Sequence, residues 1–176
     1  GYLALQQHTT GARNIAIGAY AMSGTAGDVD DAPASTDNVF IGYTSGGGDW
    51  ENDEDSNYNV GIGNYCMDGA MDGALNNTAV GHNAASAITS ADKNIAIGSG
   101  SLQAQTTGGD NIAIGYSAMN SAVHAGTVGN VVIGNNALDA TADNASTQNT
   151  VIGYNSGTEI TIGDDNTLLL HQEQLL

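Results

Sequence analysis

The residues best equipped for chemistry in this chain are carboxylates gathered in two loops. Asp49, Glu51, Asp53 and Asp55 alternate with other residues in the stretch from Gly46 to Asn57, and Asp28, Asp30 and Asp31 fall in the stretch from Ser23 to Asp37 that also holds the one proline, Pro33. Alternating carboxylates in a loop can supply the six to eight oxygens that a hard cation takes, so both sets are candidate calcium sites. Trp50, the one tryptophan, stands among these charges and is the candidate for contact with a receptor sugar at a loop tip. Other chemistries find less support. His8, His82, His124 and His171 show no ligand spacing. The Gly-Gly-x-Gly-x-Asp calcium nonapeptide, a phosphate loop and a dinucleotide fingerprint are all missing. Glycoside hydrolysis needs two carboxylates about 5 to 10 Å apart in a cleft, whereas crowded acidic loops usually meet solvent or cations. We assign no catalytic residue and expect no enzyme.

Cys66 is the one cysteine, so no intrachain disulfide can form. It occupies a place where other repeats carry Ala or Ser and reads as a small buried residue rather than a reactive thiol. Lys and Arg together number 2 against 19 Asp and Glu, for a formal net charge of −17. Nucleic-acid binding rests on cations that neutralise phosphates, and an anionic bilayer would repel such a surface, so neither is an expected partner. No apolar run approaches the length of a membrane span, and no membrane insertion is expected of this stretch.

The elements that would position these loops repeat one phrase, Asn-apolar-small-apolar-Gly. Its plainest copies are Asn94-Ile95-Ala96-Ile97-Gly98 and Asn111-Ile112-Ala113-Ile114-Gly115. Others run from Asn14, Asn38, Asn59, Asn77, Asn130 and Asn149, and a worn copy is read at Glu159-Ile160-Thr161-Ile162-Gly163. The closing glycines, from Gly18 to Gly153, are separated by 24, 21, 18, 17, 17, 19 and 19 residues. Self-similarity at so short a period signals a solenoid whose repeats stack on their neighbours. Gly1-Tyr2-Leu3-Ala4-Leu5 matches the second half of a repeat, from which we expect further chain upstream.

Within each phrase the bulky residues are two apart, which places them on one face of a strand with the small residue on the other. The expectation is that the bulky pairs, such as Ile95 and Ile97, fill the interior. The small middle residues Ala16, Ala79, Ala96 and Ala113 would then meet a shared axis between copies, with Phe40 as the exception. A small residue followed by an apolar one, as in Ala21-Met22, Cys66-Met67 and Ala118-Met119, reads as a second short strand. The recurrent asparagine is expected to form a ladder with its copies above and below, and the glycine to turn the chain at each corner. So thin a core suggests that several chains share it. The fold class is therefore all-β, a parallel β-roll or β-solenoid of about nine to ten coils over residues 1–163, roughly 45 Å long, with 164–176 as a cap or connector. Arg13 precedes Asn14 as Asp37 precedes Asn38, and Lys93 precedes Asn94 as Asp110 precedes Asn111, so stacking should bring each cation beside a carboxylate.

The phrase Asn-[Ile/Val/Thr]-Ala-[Ile/Val]-Gly-x-x-[Ala/Ser]-[Leu/Met/Gly] resembles the head repeats of trimeric autotransporter adhesins and the similar repeats of bacteriophage tail fibres. Asn38-Val39-Phe40-Ile41-Gly42-Tyr43-Thr44-Ser45-Gly46 and Asn149-Thr150-Val151-Ile152-Gly153-Tyr154-Asn155-Ser156-Gly157 look most like the tail-fibre variety. The resemblance implies a left-handed roll and a homotrimer. It also implies a structural and adhesive role on a virion tail fibre that presents loops to a host receptor or glycan. The alternative is the head of a bacterial surface adhesin, and a polysaccharide depolymerase is the third and weakest reading.

Overall fold

Each of the eight full phrases folds as a strand of three residues whose flanking asparagine and glycine form its corners. The computed structural model describes residues 1–8, 11–24, 34–50, 54–121, 126–139, 146–158 and 163–170. Nine strands stand side by side in chain order: β1 (Ile15–Ile17), β2 (Val39–Ile41), β3 (Val60–Ile62), β4 (Thr78–Val80), β5 (Ile95–Ile97), β6 (Ile112–Ile114), β7 (Val131–Ile133), β8 (Thr150–Ile152) and β9 (Thr167–Leu169). All pair in parallel without slip, as where Ile95, Ala96 and Ile97 face Ile112, Ala113 and Ile114. Parallel neighbours require a crossover. Here the remainder of each coil supplies it, and the result is a parallel β-solenoid with no helix among the described residues.

The ninth rung is not the one expected. Thr167–Leu169 pairs with β8, and Asn166 N–H donates to Asn149 Oδ1 at 2.9 Å, so Asn166 holds the place assigned to Glu159. A carboxylate has no hydrogen to donate to the preceding asparagine, which is why the asparagine and not the Ile-x-Ile pattern marks the rung. The roll thus extends past the boundary drawn at residue 163, and residues 164–170 belong to its last coil. Of the worn copy, residues 159–162 lie outside the described residues.

The two faces of the strands are also the reverse of the expectation. The middle residues Phe40, Ala79, Ala96, Ala113, Val132 and Val151 are fully buried inside their own chain, and Ala16 packs against the same core. The flanking Ile15, Ile17, Ile62, Ile95, Ile97, Ile133 and Ile152 are 36–56 % exposed. Alternation separates two faces but does not say which one is inside. Width decides it: a strand of three residues in so slender a coil sends one side chain inward, against the second wall.

That second wall is the predicted second strand, and it is a turn instead. Met22, Met67, Ala85, Leu102, Met119 and Leu138 all have φ between 45° and 51° and point inward, fully buried or nearly so. Left-handed backbone is uncommon outside glycine, and a long side chain there marks a conformation imposed by its surroundings. The column recurs because each of these turns is hydrogen-bonded to the next coil: Leu102 N–H reaches Ala118 O at 3.0 Å, and Met119 N–H reaches Ala137 O at 3.0 Å. Another left-handed column precedes the asparagines and holds Arg13, Asp37, Tyr58, Asn76, Lys93, Asp110, Gln148 and Asp165. The closing glycine has its own reason. At Gly98, with φ of 132°, a Cβ would run into the carbonyl of Gly115 in the next coil.

The two inward positions of a coil, six residues apart, share one volume. Ala96 accompanies Leu102, Ala113 accompanies Met119, and Gly61 accompanies Met67. Phe40 inverts the arrangement, with Gly46 as its partner, and a Cβ on Gly46 would lie 2.8 Å from the phenyl ring. Gly61, stacked on Phe40 in the next strand, is glycine for the same reason, since a Cβ there would lie 2.5 Å from ring atom Cδ1. The exception noted in the sequence is therefore compensated twice.

Asparagine binds the coils together. Asn111 N–H and Nδ2 both donate to Asn94 Oδ1, at 3.0 and 3.1 Å, while Asn94 Nδ2 donates to Asn77 Oδ1 at 3.1 Å and to Gly108 O at 2.9 Å. The same pattern runs unbroken from Asn14 through Asn38, Asn59, Asn77, Asn94, Asn111, Asn130 and Asn149 to Asn166. Two outcomes test this account. Asn94→Ala strands both Asn111 donors in the interior and should cost about 3 kcal/mol in urea denaturation, since each buried unsatisfied polar group costs about 1–3 kcal/mol. Gly61→Ala should destabilise by about 1–3 kcal/mol through overpacking, and most of that loss should disappear when it is measured against a Phe40→Ala background.

Candidate functional site

The acidic loops divide between what is described and what is not. Asp49 and Asp55 are exposed, as is Glu54. Glu51 and Asp53 lie outside the described residues, as do Asp28, Asp30 and Asp31, so the geometry of neither calcium set is on view. Among the described residues no group of three or more His, Cys, Asp or Glu stands close enough to hold a metal ion. Three of the described carboxylates are engaged with backbone instead: Asp72 Oδ1 accepts from Glu54 N–H at 3.3 Å, Asp92 Oδ1 from Leu75 N–H at 2.8 Å and Asp164 Oδ1 from Thr147 N–H at 2.9 Å. Burial pushes the half-buried Asp68 carboxyl above its usual value, with His82 working the other way.

Trp50 is not at a loop tip. It is fully buried, its ring set edge-on to Phe40 with centroids 5.9 Å apart, and its backbone N–H donates to Gly24 O at 2.8 Å. The indole carries the largest apolar area of any side chain, and it extends the core beside the one large strand residue. The ring has no exposed surface in this fold, unlike the loop-tip placement expected. Its Nε1 has no partner among the described residues.

The expected register of charges is half realised. Arg13 Nε and the terminal Nη2 donate to Asp37 Oδ1 and Oδ2 at 2.6 and 2.7 Å, a two-pronged pair across adjacent coils. Its hydrogen bonds lower the Asp37 carboxyl below its usual value and raise the guanidinium. Lys93 and Asp110 share the equivalent left-handed position, yet Arg13–Asp37 is the one ion pair among the described residues. The planar guanidinium matches a neighbouring carboxylate in two places, whereas a hydrated ammonium on an exposed stem gains little from one.

Cys66 is buried, and its Sγ donates to Ala79 O at 3.3 Å. Desolvation pushes the thiol up to about 12. A thiol held there carries negligible thiolate at neutral pH.

Two surface features escaped the sequence reading. The first is the outward stripe along the sheet, mostly isoleucine, with Val80 and Leu169 continuing it on β4 and β9. The second is a ladder of surface rings at the corner after the glycines, half-buried at Tyr20 and exposed elsewhere: Tyr2, Tyr20, Tyr43, Tyr65 and His82 meet edge to face with centroids 5.6, 5.8, 5.3 and 5.9 Å apart. Their spacing relative to Gly1, Gly18, Gly42, Gly63 and Gly81, one or two positions on, was the available signal. Compared with known protein families, curated proteins and solved structures, the chain matches none. No described helix is long and apolar enough to cross a membrane.

Cys66 offers a direct check on the site assignments. It should resist alkylation by iodoacetamide at about pH 8 under native conditions and react fully in denaturant, where a thiol returns to about 8.5.

Proposed function

We propose that this chain is a structural and adhesive segment of a trimeric surface fibre, one that holds its variable loops out towards a cell-surface receptor or glycan. The observation that carries the reading is the isoleucine stripe, with Ile95 and Ile97 at its middle, on a rigid in-register sheet. Nine strands at about 4.8 Å give a continuous apolar strip roughly 40 Å long. Strips of that size are rare on monomers and mark surfaces that meet another protein. Eight of the nine rungs offer a pair of β-branched residues outward, so a like chain, laid alongside in register, complements the strip along most of its length. The bulky flanking residues, rather than Ala79, Ala96 and Ala113, face the shared axis in this arrangement.

The recurring asparagine-to-glycine phrase supports placing the segment in a left-handed roll of nine to ten coils on a phage tail fibre, with the head of a bacterial adhesin as the alternative built from the same phrase. The role is mechanical and adhesive, without catalysis. Calcium in the acidic loops belongs to the same reading, as a cation that would offset the net charge of −17 where Asp49, Glu51, Asp53 and Asp55 gather.

Sedimentation equilibrium should give three times the chain mass, and Ile95→Asp with Ile97→Asp should dissociate the assembly. A stable folded monomer at micromolar concentration sinks the trimer. Titration calorimetry should show calcium bound at millimolar concentration or tighter. Heat absent with the wild-type chain removes the cation from the account and leaves the trimer standing.

A further inference from the structure

Asn14 opens the asparagine column, and no described asparagine precedes it to receive its amide. Its orientation is nonetheless fixed. Oδ1 accepts from Asn38 N–H at 2.9 Å and from Asn38 Nδ2 at 3.2 Å, and Nδ2 donates to Ser35 O at 2.8 Å, as the later rungs do to their own carbonyls. In those rungs the other Nδ2 hydrogen goes to the preceding Oδ1. In Asn14 it meets His8 Nε2 at 2.8 Å. An amide nitrogen only donates, so Nε2 carries the lone pair and the ring proton sits on Nδ1.

We propose that His8 is a pH-sensitive end cap of the asparagine ladder, whose neutral imidazole completes the first rung and whose protonation opens the first coil. An imidazolium Nε2–H would face the Asn14 amide hydrogens, donor against donor. The carboxamide can answer only by turning over, which sets Nδ2 against Asn38 N–H and breaks that bond instead. Either way the half-buried first rung loses a hydrogen bond.

The surroundings favour the neutral ring. His8 is half-buried, and desolvation holds it below the usual 6.5, partly opposed by a backbone hydrogen bond with Gly11. Gly11 lies so close that a Cβ there would run into the imidazole. Among the described residues no ionised side chain contributes to the shift, and the charged groups beside Asn14 and Asn38 in the sequence, Arg13 and Asp37, are paired with each other. The folded ring binds its proton less readily than the unfolded one. Its contribution is therefore fully present above about pH 6.5 and is lost as pH falls through the lower folded value. The effect stays local, because from Asn38 onward the acceptor at each rung is a carboxamide, which does not titrate.

Amide hydrogen exchange on the full chain, read by NMR at about pH 7.5 and about pH 5 and corrected for intrinsic rates, tests the cap. Asn38 N–H reports the first rung, and Asn111 N–H, bonded identically to Asn94 Oδ1, is the control in the same molecule. Protection of Asn38 should fall roughly tenfold at the lower pH while Asn111 is unchanged. His8→Gln supplies an acceptor that does not titrate and should hold Asn38 protection at both pH values. His8→Phe supplies none and should lose protection at both. The ring nitrogen shifts at about pH 7.5 should report the Nδ1–H tautomer. The proposal is overturned by Asn38 protection that ignores pH in the wild-type chain, by a His8→Gln variant that keeps the wild-type pH dependence, or by an Nε2–H ring.

Discussion

The asparagine ladder is the constraint on which the rest of this molecule depends. Each interior carboxamide is fully used: Oδ1 takes two hydrogens from the next coil, and Nδ2 gives one to the previous asparagine and one to a carbonyl, as Asn94 does between Asn77, Gly108 and Asn111. In a low-dielectric interior such bonds are strong, and a missing member is expensive because its partner has no water to turn to. The ladder therefore does what an apolar core would do in a wider fold. It also fixes register, since a coil displaced by one residue would put Ile15 or Arg13 where Asn14 must stand.

Around that column the chain turns by left-handed backbone at fixed places. Side chains as large as Met119 and Leu138 accept positive φ because their backbone groups are bound into neighbouring coils and their ends fill the space that Ala113 and its equivalents leave. Local strain of this kind persists only where the surroundings over-determine it. Phe40, Gly46 and Gly61 obey the same volume rule with large and small exchanged. Loops of different length can then be inserted between coils without disturbing either column, which is why the steps between glycines range from 17 to 24 residues while the strands never slip.

The rigid stack leaves two long surfaces unmatched by the chain itself, the isoleucine stripe and the tyrosine corner. Both follow from repetition, since a residue placed outward in one coil is outward in every coil. In the proposed function the apolar strip is the surface for assembly, and the loops that interrupt the repeat are the surface for recognition. The charged loops and the ring ladder also differ in kind. The rings are held to one another along the stack from Tyr2 to His82, whereas Asp49 and Asp55 stand in solvent beside a tryptophan that has turned inward.

By itself the sequence determined the architecture. The recurrence of Asn, two β-branched residues and Gly fixed the strands, their parallel order, the ladder and the corner, because each of these depends on residues close together and on a period that survives variable loops. It also placed Cys66 in the interior and Arg13 beside Asp37. Only the tertiary structure decided which face of the strand is inside, that the apolar pair after the glycine is a left-handed turn, that Asn166 rather than Glu159 makes the last described rung, and that Trp50 is buried. Those outcomes share a physical reason. A period of two separates the faces of a strand without naming them, and a buried ring differs from an exposed one only by what packs against it. Both are settled by the width of the coil and by partners such as Phe40 and Gly61, which lie far apart in the chain and meet only when the coils stack.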